Sequence, residues 1–184
     1  MEYRENLLKA IASIACTAGD GTLLAYGDAV NRVVTGLNDL RCAGKKLCFI
    51  GNGGSAAIAI HMTGDFFSNG KVITHSMHDP ATLTCLANDF GYEQVFSKQL
   101  AGVATPGDML IAISSSGKSP NILKAVEAAQ SNECQILTLS GFAADNPLRS
   151  MGDWNFYVPC SEYGKVETIH NMILQEIVDK LMLV

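Results

Sequence analysis

The stretch Leu47-Cys48-Phe49-Ile50-Gly51-Asn52-Gly53-Gly54-Ser55 decides the fold. Four apolar residues in a row read as a short strand buried on both faces. The glycine-rich turn that ends it leads into a helix expected to run to about Phe67. Working outward, the succession repeats. Residues 72–77 read as a second strand, 109–113 as a third, 135–139 as a fourth and 154–158 as a fifth. Between them, residues 81–86, 92–100 and 120–130 read as helical, and a long helix is expected from about Tyr163 to Leu183. Strands alternating with helices at this spacing predict an α/β fold, a three-layer αβα sandwich around a five-stranded parallel sheet. Crossovers in such a sheet are right-handed.

The first 44 residues read differently. Leu7, Leu8, Ile11 and Ile14 recur at helical spacing, as do Val30, Val33, Val34, Leu37 and Leu40, with Gly19-Asp20-Gly21 breaking the pattern. The expectation is two N-terminal helices over 1–44, packed outside the sheet or against another subunit, ahead of an α/β core over 45–184. No repeat or linker divides the chain, so 1–184 reads as a single domain.

Composition bounds the function. The chain has 184 residues, 48% hydrophobic and 17% charged, which excludes disorder and supplies a full core. The net charge is -5, and Lys45-Lys46 is the densest basic pair, so no basic stripe points to nucleic acid. Every apolar run is interrupted before membrane-spanning length. The charged start, Met1-Glu2-Tyr3-Arg4-Glu5-Asn6, lacks a signal-peptide core, and a cytoplasmic location is expected. Cys16, Cys42, Cys48, Cys85, Cys134 and Cys160 show no C-x-x-C spacing and read mostly as buried thiols in a reducing compartment.

Two loops carry chemistry. In open parallel sheets ligands bind beyond the carboxyl ends of the strands, where Gly51-Asn52-Gly53-Gly54-Ser55 and Ser114-Ser115-Ser116-Gly117-Lys118-Ser119 both fall. Glycines let backbone approach a ligand, and a helix start supplies free N–H groups and a positive dipole end. Four hydroxyls in six residues exceed what one helix cap requires, although Ser119 before Pro120 is well placed as N-cap. Together the loops predict an anion site. A dinucleotide fingerprint is a weak alternative: Gly51-x-Gly53-x-x-Ala56 fits, but Asp79 is late in register and Pro80 follows it. Gly117-Lys118-Ser119 fails as a P-loop, because Ala112 stands where the first glycine belongs. No nucleotide cofactor is expected.

Among titratable residues, His61 and Asp65 lie four apart on the helix after the glycine loop. Glu167 and His170 share a face of the last helix, with Gln175 further along. Such pairs suit proton transfer or a divalent metal, and equally the polar edges of amphipathic helices.

The segments Phe49 to Ala57, Leu83-Thr84-Cys85-Leu86-Ala87-Asn88-Asp89 and Ile113 to Asn121 resemble sugar isomerase (SIS) domains, above all the phosphoheptose isomerases. The resemblance spans nearly the whole chain. It implies a flavodoxin-like core and homotetramers with active sites between subunits. It implies that Ser114, Ser115, Ser116 and Ser119 bind a sugar phosphate, with Asn52, Gly53, Gly54, Ser55, Asn88, Asp89 and Glu167 lining the pocket. The implied reaction converts sedoheptulose 7-phosphate to an aldose heptose 7-phosphate through an enediol, for cell-surface polysaccharide (lipopolysaccharide). In that family a His and a Glu on the first helix, with a Gln and a His on the last, supply acid, base and a zinc site. Here His61 is kept, but Asp65 replaces Glu, Glu167 replaces Gln and Gln175 replaces His. The resemblance thus implies catalytic roles for Asp65 as base, Glu167 as second proton-transfer group and Gln175 at the acid's position. It implies a metal set of His61, Asp65, Glu167 and Gln175 for zinc or another divalent ion. An amide does not titrate near neutral pH, so Gln175 cannot be that acid. A non-catalytic alternative resembles the DnaA initiator-associating protein, a SIS-domain tetramer that also lacks the last-helix histidine and has a protein partner.

Overall fold

The computed structural model describes residues 2–184. In chain order the elements are α1 (Glu2–Ala12), β1 (Ala15–Ala18), β2 (Leu23–Leu24), α2 (Tyr26–Cys42), β3 (Lys46–Gly51), α3 (Gly54–Ser68), β4 (Ile73–Ser76) and α4 (Pro80–Phe90). Then follow α5 (Ser97–Val103), β5 (Met109–Ser114), α6 (Pro120–Ser131), β6 (Gln135–Gly141), β7 (Trp154–Val158) and α7 (Tyr163–Leu181). β3 to β7 form the expected parallel block, side by side as β4-β3-β5-β6-β7. Period-two alternation splits β3, β5 and β6 between two cores. Leu47 and Phe49 join Ile111, Leu139 and Phe156 against α2, α3 and α7. Cys48 and Ile50 join Leu110, Ala112 and Ile136 against α5 and α6. Both faces of these three strands are covered, which is why they read as largely apolar runs, whereas β4 is an edge strand with Ile73 and His75 exposed.

Among the described residues the sheet has seven strands rather than five, and residues 2–44 are not helical throughout. β1 lies antiparallel on β7, with Cys16 opposite Phe156, and β2 pairs antiparallel with β1. Gly19-Asp20-Gly21 sits in the turn between them. Local sequence does not specify these strands. They form because β7 offers an open edge with unpaired N–H and C=O groups that the chain covers. α2 then buries Val30, Val33, Val34, Leu37 and Leu40 in the main core, as its spacing predicts. α1 buries only Ala10. All six cysteines are free, but only Cys16 and Cys48 are buried, and Cys42 and Cys85 are exposed. Among the described residues no helix is long and apolar enough to cross a membrane.

The strand order makes β3 and β5 neighbours whose following chains leave in opposite directions. β3 feeds α3 on one face of the sheet, and β5 feeds α6 on the other. The crevice at such a switch point is where ligands bind in this architecture.

Candidate active site

Both loops open into that crevice. A cavity of ≈ 260 Å³ is lined by Asn52, Gly53, Gly54, Ser55, Ser114, Ser115, Ser116, Ser119 and Glu167, all singled out in the sequence. Ile113 and Tyr163 complete it, and neither was foreseen. Tyr163 stands four residues before Glu167, one turn away on the same face of α7, and that spacing was the available signal.

The glycine loop turns at Gly53, whose φ of 55° favours glycine, and α3 starts at Gly54. Gly54 serves a second purpose. A Cβ there would lie 2.3 Å from the Glu167 Oε2 and 2.5 Å from Cδ. The missing side chain lets the carboxylate sit against the first residue of α3, where the helix dipole favours negative charge. Opposite, the serine loop is shaped by its own hydroxyls. The Gly117 N–H lies 3.2 Å from Ser114 Oγ, and the Lys118 N–H 3.3 Å from Ser116 Oγ. Ser119 holds the N-cap position of α6 with Pro120 behind it, but its hydroxyl makes no capping bond and lies 3.4 Å from Ser114 Oγ. Ser115 is 4% exposed, and its Oγ has no hydrogen-bond partner. A hydroxyl unspent on the protein is what a bound anion would use.

A side-chain network joins the loops. The Asn52 and Asn121 amides exchange two hydrogen bonds of 2.9 Å, and the Tyr92 hydroxyl donates to Asn52 Oδ1 at 3.0 Å. His78, unassigned by sequence, places Nε2 3.0 Å from the Gly51 carbonyl and Nδ1 2.9 Å from Ser76 Oγ. Burial holds its pKa below the ordinary imidazole value.

Other expected residues lie elsewhere. Asn88 and Asp89 sit on the exposed end of α4, bonded to each other at 2.9 Å, and do not line the cavity. His61 and Asp65 form their expected pair, 3.4 Å apart on α3. Asp65 is eleven residues past Gly54, about 16 Å along the helix, and is also outside the cavity lining. Gln175 borders a different hollow on α7 and donates to Asp179 Oδ1 at 3.0 Å. The metal set His61, Asp65, Glu167 and Gln175 is therefore not assembled within the chain. No group of three or more His, Cys, Asp or Glu suited to a metal occurs among the described residues. Two helices present these donors at separate points along their lengths, so no step below passes through a metal. His170 is fully buried, its Nε2 3.1 Å from the Ser140 carbonyl, with a pKa pushed down to about 4 by burial. It faces the core rather than the cavity. Asp79, the candidate ribose ligand of a dinucleotide, is spent as the α4 N-cap, accepting from the Thr82 N–H at 2.8 Å.

Comparison with known proteins agrees with this geometry. Residues 26–141 match the SIS domain family. The phosphoheptose isomerase of Fusobacterium nucleatum is 38% identical over 153 residues, covering 80% of this chain and 78% of that protein. That of Shewanella denitrificans is 36% identical over 146 residues, covering 75% and 74%. The structure of a phosphoheptose isomerase from Francisella tularensis superposes with a TM-score of 0.85 at 27% identity, over 100% of this chain and 96% of that one. The Neisseria gonorrhoeae phosphoheptose isomerase shares the fold at a TM-score of 0.85 and 24% identity, over 98% and 96%. The matched segment runs from α2 through β6 and contains both loops of the cavity, and the chain belongs to the SIS domain family.

Proposed function

We propose that this protein is an aldose–ketose isomerase of a phosphorylated sugar, with sedoheptulose 7-phosphate as the foremost substrate and an aldose heptose 7-phosphate as product. The observation that carries the reading is the cavity in which Ser115, Ser116 and Ser119 and the start of α6 face Glu167 and the start of α3. Among the described residues no Lys or Arg lines it, so hydroxyl and amide donors must balance the phosphate. Phosphate and the Glu167 carboxylate repel. The sugar therefore runs from the serine loop, which grips the phosphate, toward α3, where the carbonyl carbons meet Glu167. The names of the relatives at 34–38% identity support an isomerase.

The chemistry needs a base that takes the C1 proton of the ketose, giving an enediol, and an acid that returns a proton to C2. Glu167 is the carboxylate within reach of a ligand in the cavity. Asp65 is the second, and it reaches a cavity if a neighbouring copy supplies it. That agrees with homotetramers whose sites lie between subunits. On α3, Ile60 and Phe67, seven residues apart and on one side, are 52% and 65% exposed, while the His61–Asp65 pair lies on another flank of the same helix. α4 buries no residue fully, and α1 only Ala10, which leaves both free to pack on other copies. Residues 1–184 act as one unit in this reading, in the cytoplasm, where six free thiols are stable.

The deciding experiment is incubation with sedoheptulose 7-phosphate in deuterated water. An isomerase forms the aldose and places solvent deuterium on C1 or C2. If neither occurs, the cavity only binds, as in the regulatory alternative.

A further inference from the structure

We propose that His78 is a positioning residue, supplying the hydrogen bond that fixes the Gly51-to-Ser55 turn where the backbone ladder has run out. β3 and β4 pair from Lys46 opposite Ile73 to Phe49 opposite Ser76. The Met77 N–H reaches the Phe49 carbonyl at 3.4 Å, and there the ladder stops. The chain leaves the sheet because Asp79 and Pro80 start α4. Carbonyls two residues apart on a strand point the same way, so the Gly51 carbonyl faces the β4 side with no backbone donor left to meet it. His78 Nε2 meets it instead, at 3.0 Å. A carbonyl only accepts, so Nε2 carries the proton and Nδ1 accepts from the Ser76 hydroxyl at 2.9 Å. The ring is held edge-on by Phe96, 5.4 Å between centroids. Gly51 is buried and directly precedes Asn52, Gly53 and Gly54 of the cavity. A buried carbonyl without a donor would move toward one, and the cavity wall would move with it.

The activity part of the test rests on the isomerase reading, and the exchange part does not. Amide hydrogen exchange is measured on unliganded wild type, His78→Leu and His78→Gln, followed by kinetics on sedoheptulose 7-phosphate. His78→Leu is expected to speed exchange at residues 53–57 by about tenfold, leaving β5 and β6 unchanged. KM is expected to rise about tenfold, with kcat changing less than threefold. His78→Gln, whose amide reaches the Nε2 position, restores both. If His78→Leu does not fold, His78→Asn is the loss variant, since its amide ends at the Nδ1 position and falls short of Gly51. Unchanged exchange at 53–57, loosening spread equally over the sheet, or failure of His78→Gln to rescue overturns the proposal. Loop-confined loosening in a protein that turns over no sugar phosphate keeps it and discards the isomerase reading.

Discussion

Ser115 carries a hydroxyl that the fold buries and leaves unsatisfied. Such a group costs folding roughly 1–3 kcal/mol, regained only when a ligand supplies the partner. Ser115→Ala should therefore leave the melting temperature of the free protein level or higher, while calorimetric affinity for a sugar phosphate falls roughly tenfold or more. A lower melting temperature with affinity intact would remove Ser115 from the phosphate cradle. Gly54 makes the opposite trade. Gly54 is the first residue of α3, where alanine is at least as good a helix former as glycine, so Gly54→Ala should not weaken the helix. Its Cβ would nevertheless occupy the space of the Glu167 carboxylate. A displacement of about 1 Å in a catalytic group can cost ~10²-fold, and Gly54→Ala is expected to lose turnover on that scale while remaining folded. Wild-type turnover in this variant would mean that Glu167 does not transfer the proton.

At the scale of elements, α7 spans both environments: Glu167 looks into the cavity, and three residues on His170 is sealed against β6. Burial lowers the His170 pKa to about 4, whereas the unfolded chain titrates near the ordinary imidazole value of 6.5. Between those values the unfolded state binds the extra proton, so stability rises with pH across this window and is lost as pH falls from 6.5 toward 4. The loss reaches about 3 kcal/mol at full effect. Denaturant titrations from pH 7 to pH 4 should show a shallower fall in His170→Met than in wild type, and parallel curves would contradict the assignment. The same scale shows what the sequence disclosed. β3, β5 and β6 were legible because both of their faces are buried, β4 and β7 because they fall at the expected interval beside them, and the two loops because glycines and serines concentrate at strand ends. β1 and β2 were not, since Ala15-Cys16-Thr17-Ala18 has no alternation and owes its pairing to β7. The ties that hold the cavity were equally hidden. Tyr92 reaches Asn52 across 40 residues, and Asn121 across 69. Spacing arguments on one helix found His61 beside Asp65, but they could not show that Gln175 and Glu167 border separate hollows.

For the whole molecule, the question is where Asp65 acts. Within its own chain it stands about 16 Å along α3 from Gly54, on a helix that exposes Ile60 and Phe67 together on a neighbouring side. Exposed apolar residues grouped like Ile60 and Phe67 mark contact surfaces, and closed symmetry then presents α3 to an equivalent partner, with Asp65 at the flank of that contact. If Asp65 works in the cavity of a neighbouring copy, each site needs Asp65 from one chain and Glu167 from another. Asp65→Asn and Glu167→Gln should each abolish turnover as pure preparations while still binding a sugar phosphate. Co-expressed with different tags and purified as mixed oligomers, the two variants should recover activity, because about a quarter of randomly assembled sites combine an intact Asp65 with an intact Glu167. Ile60→Glu, which places a charge in the contact, should shift the protein to smaller species in analytical ultracentrifugation and remove turnover with the α/β core still folded. Mixed oligomers with no activity would confine both carboxylates to one chain. The base would then have to be sought on the cavity wall itself, where Glu167 is the one carboxylate among the described residues.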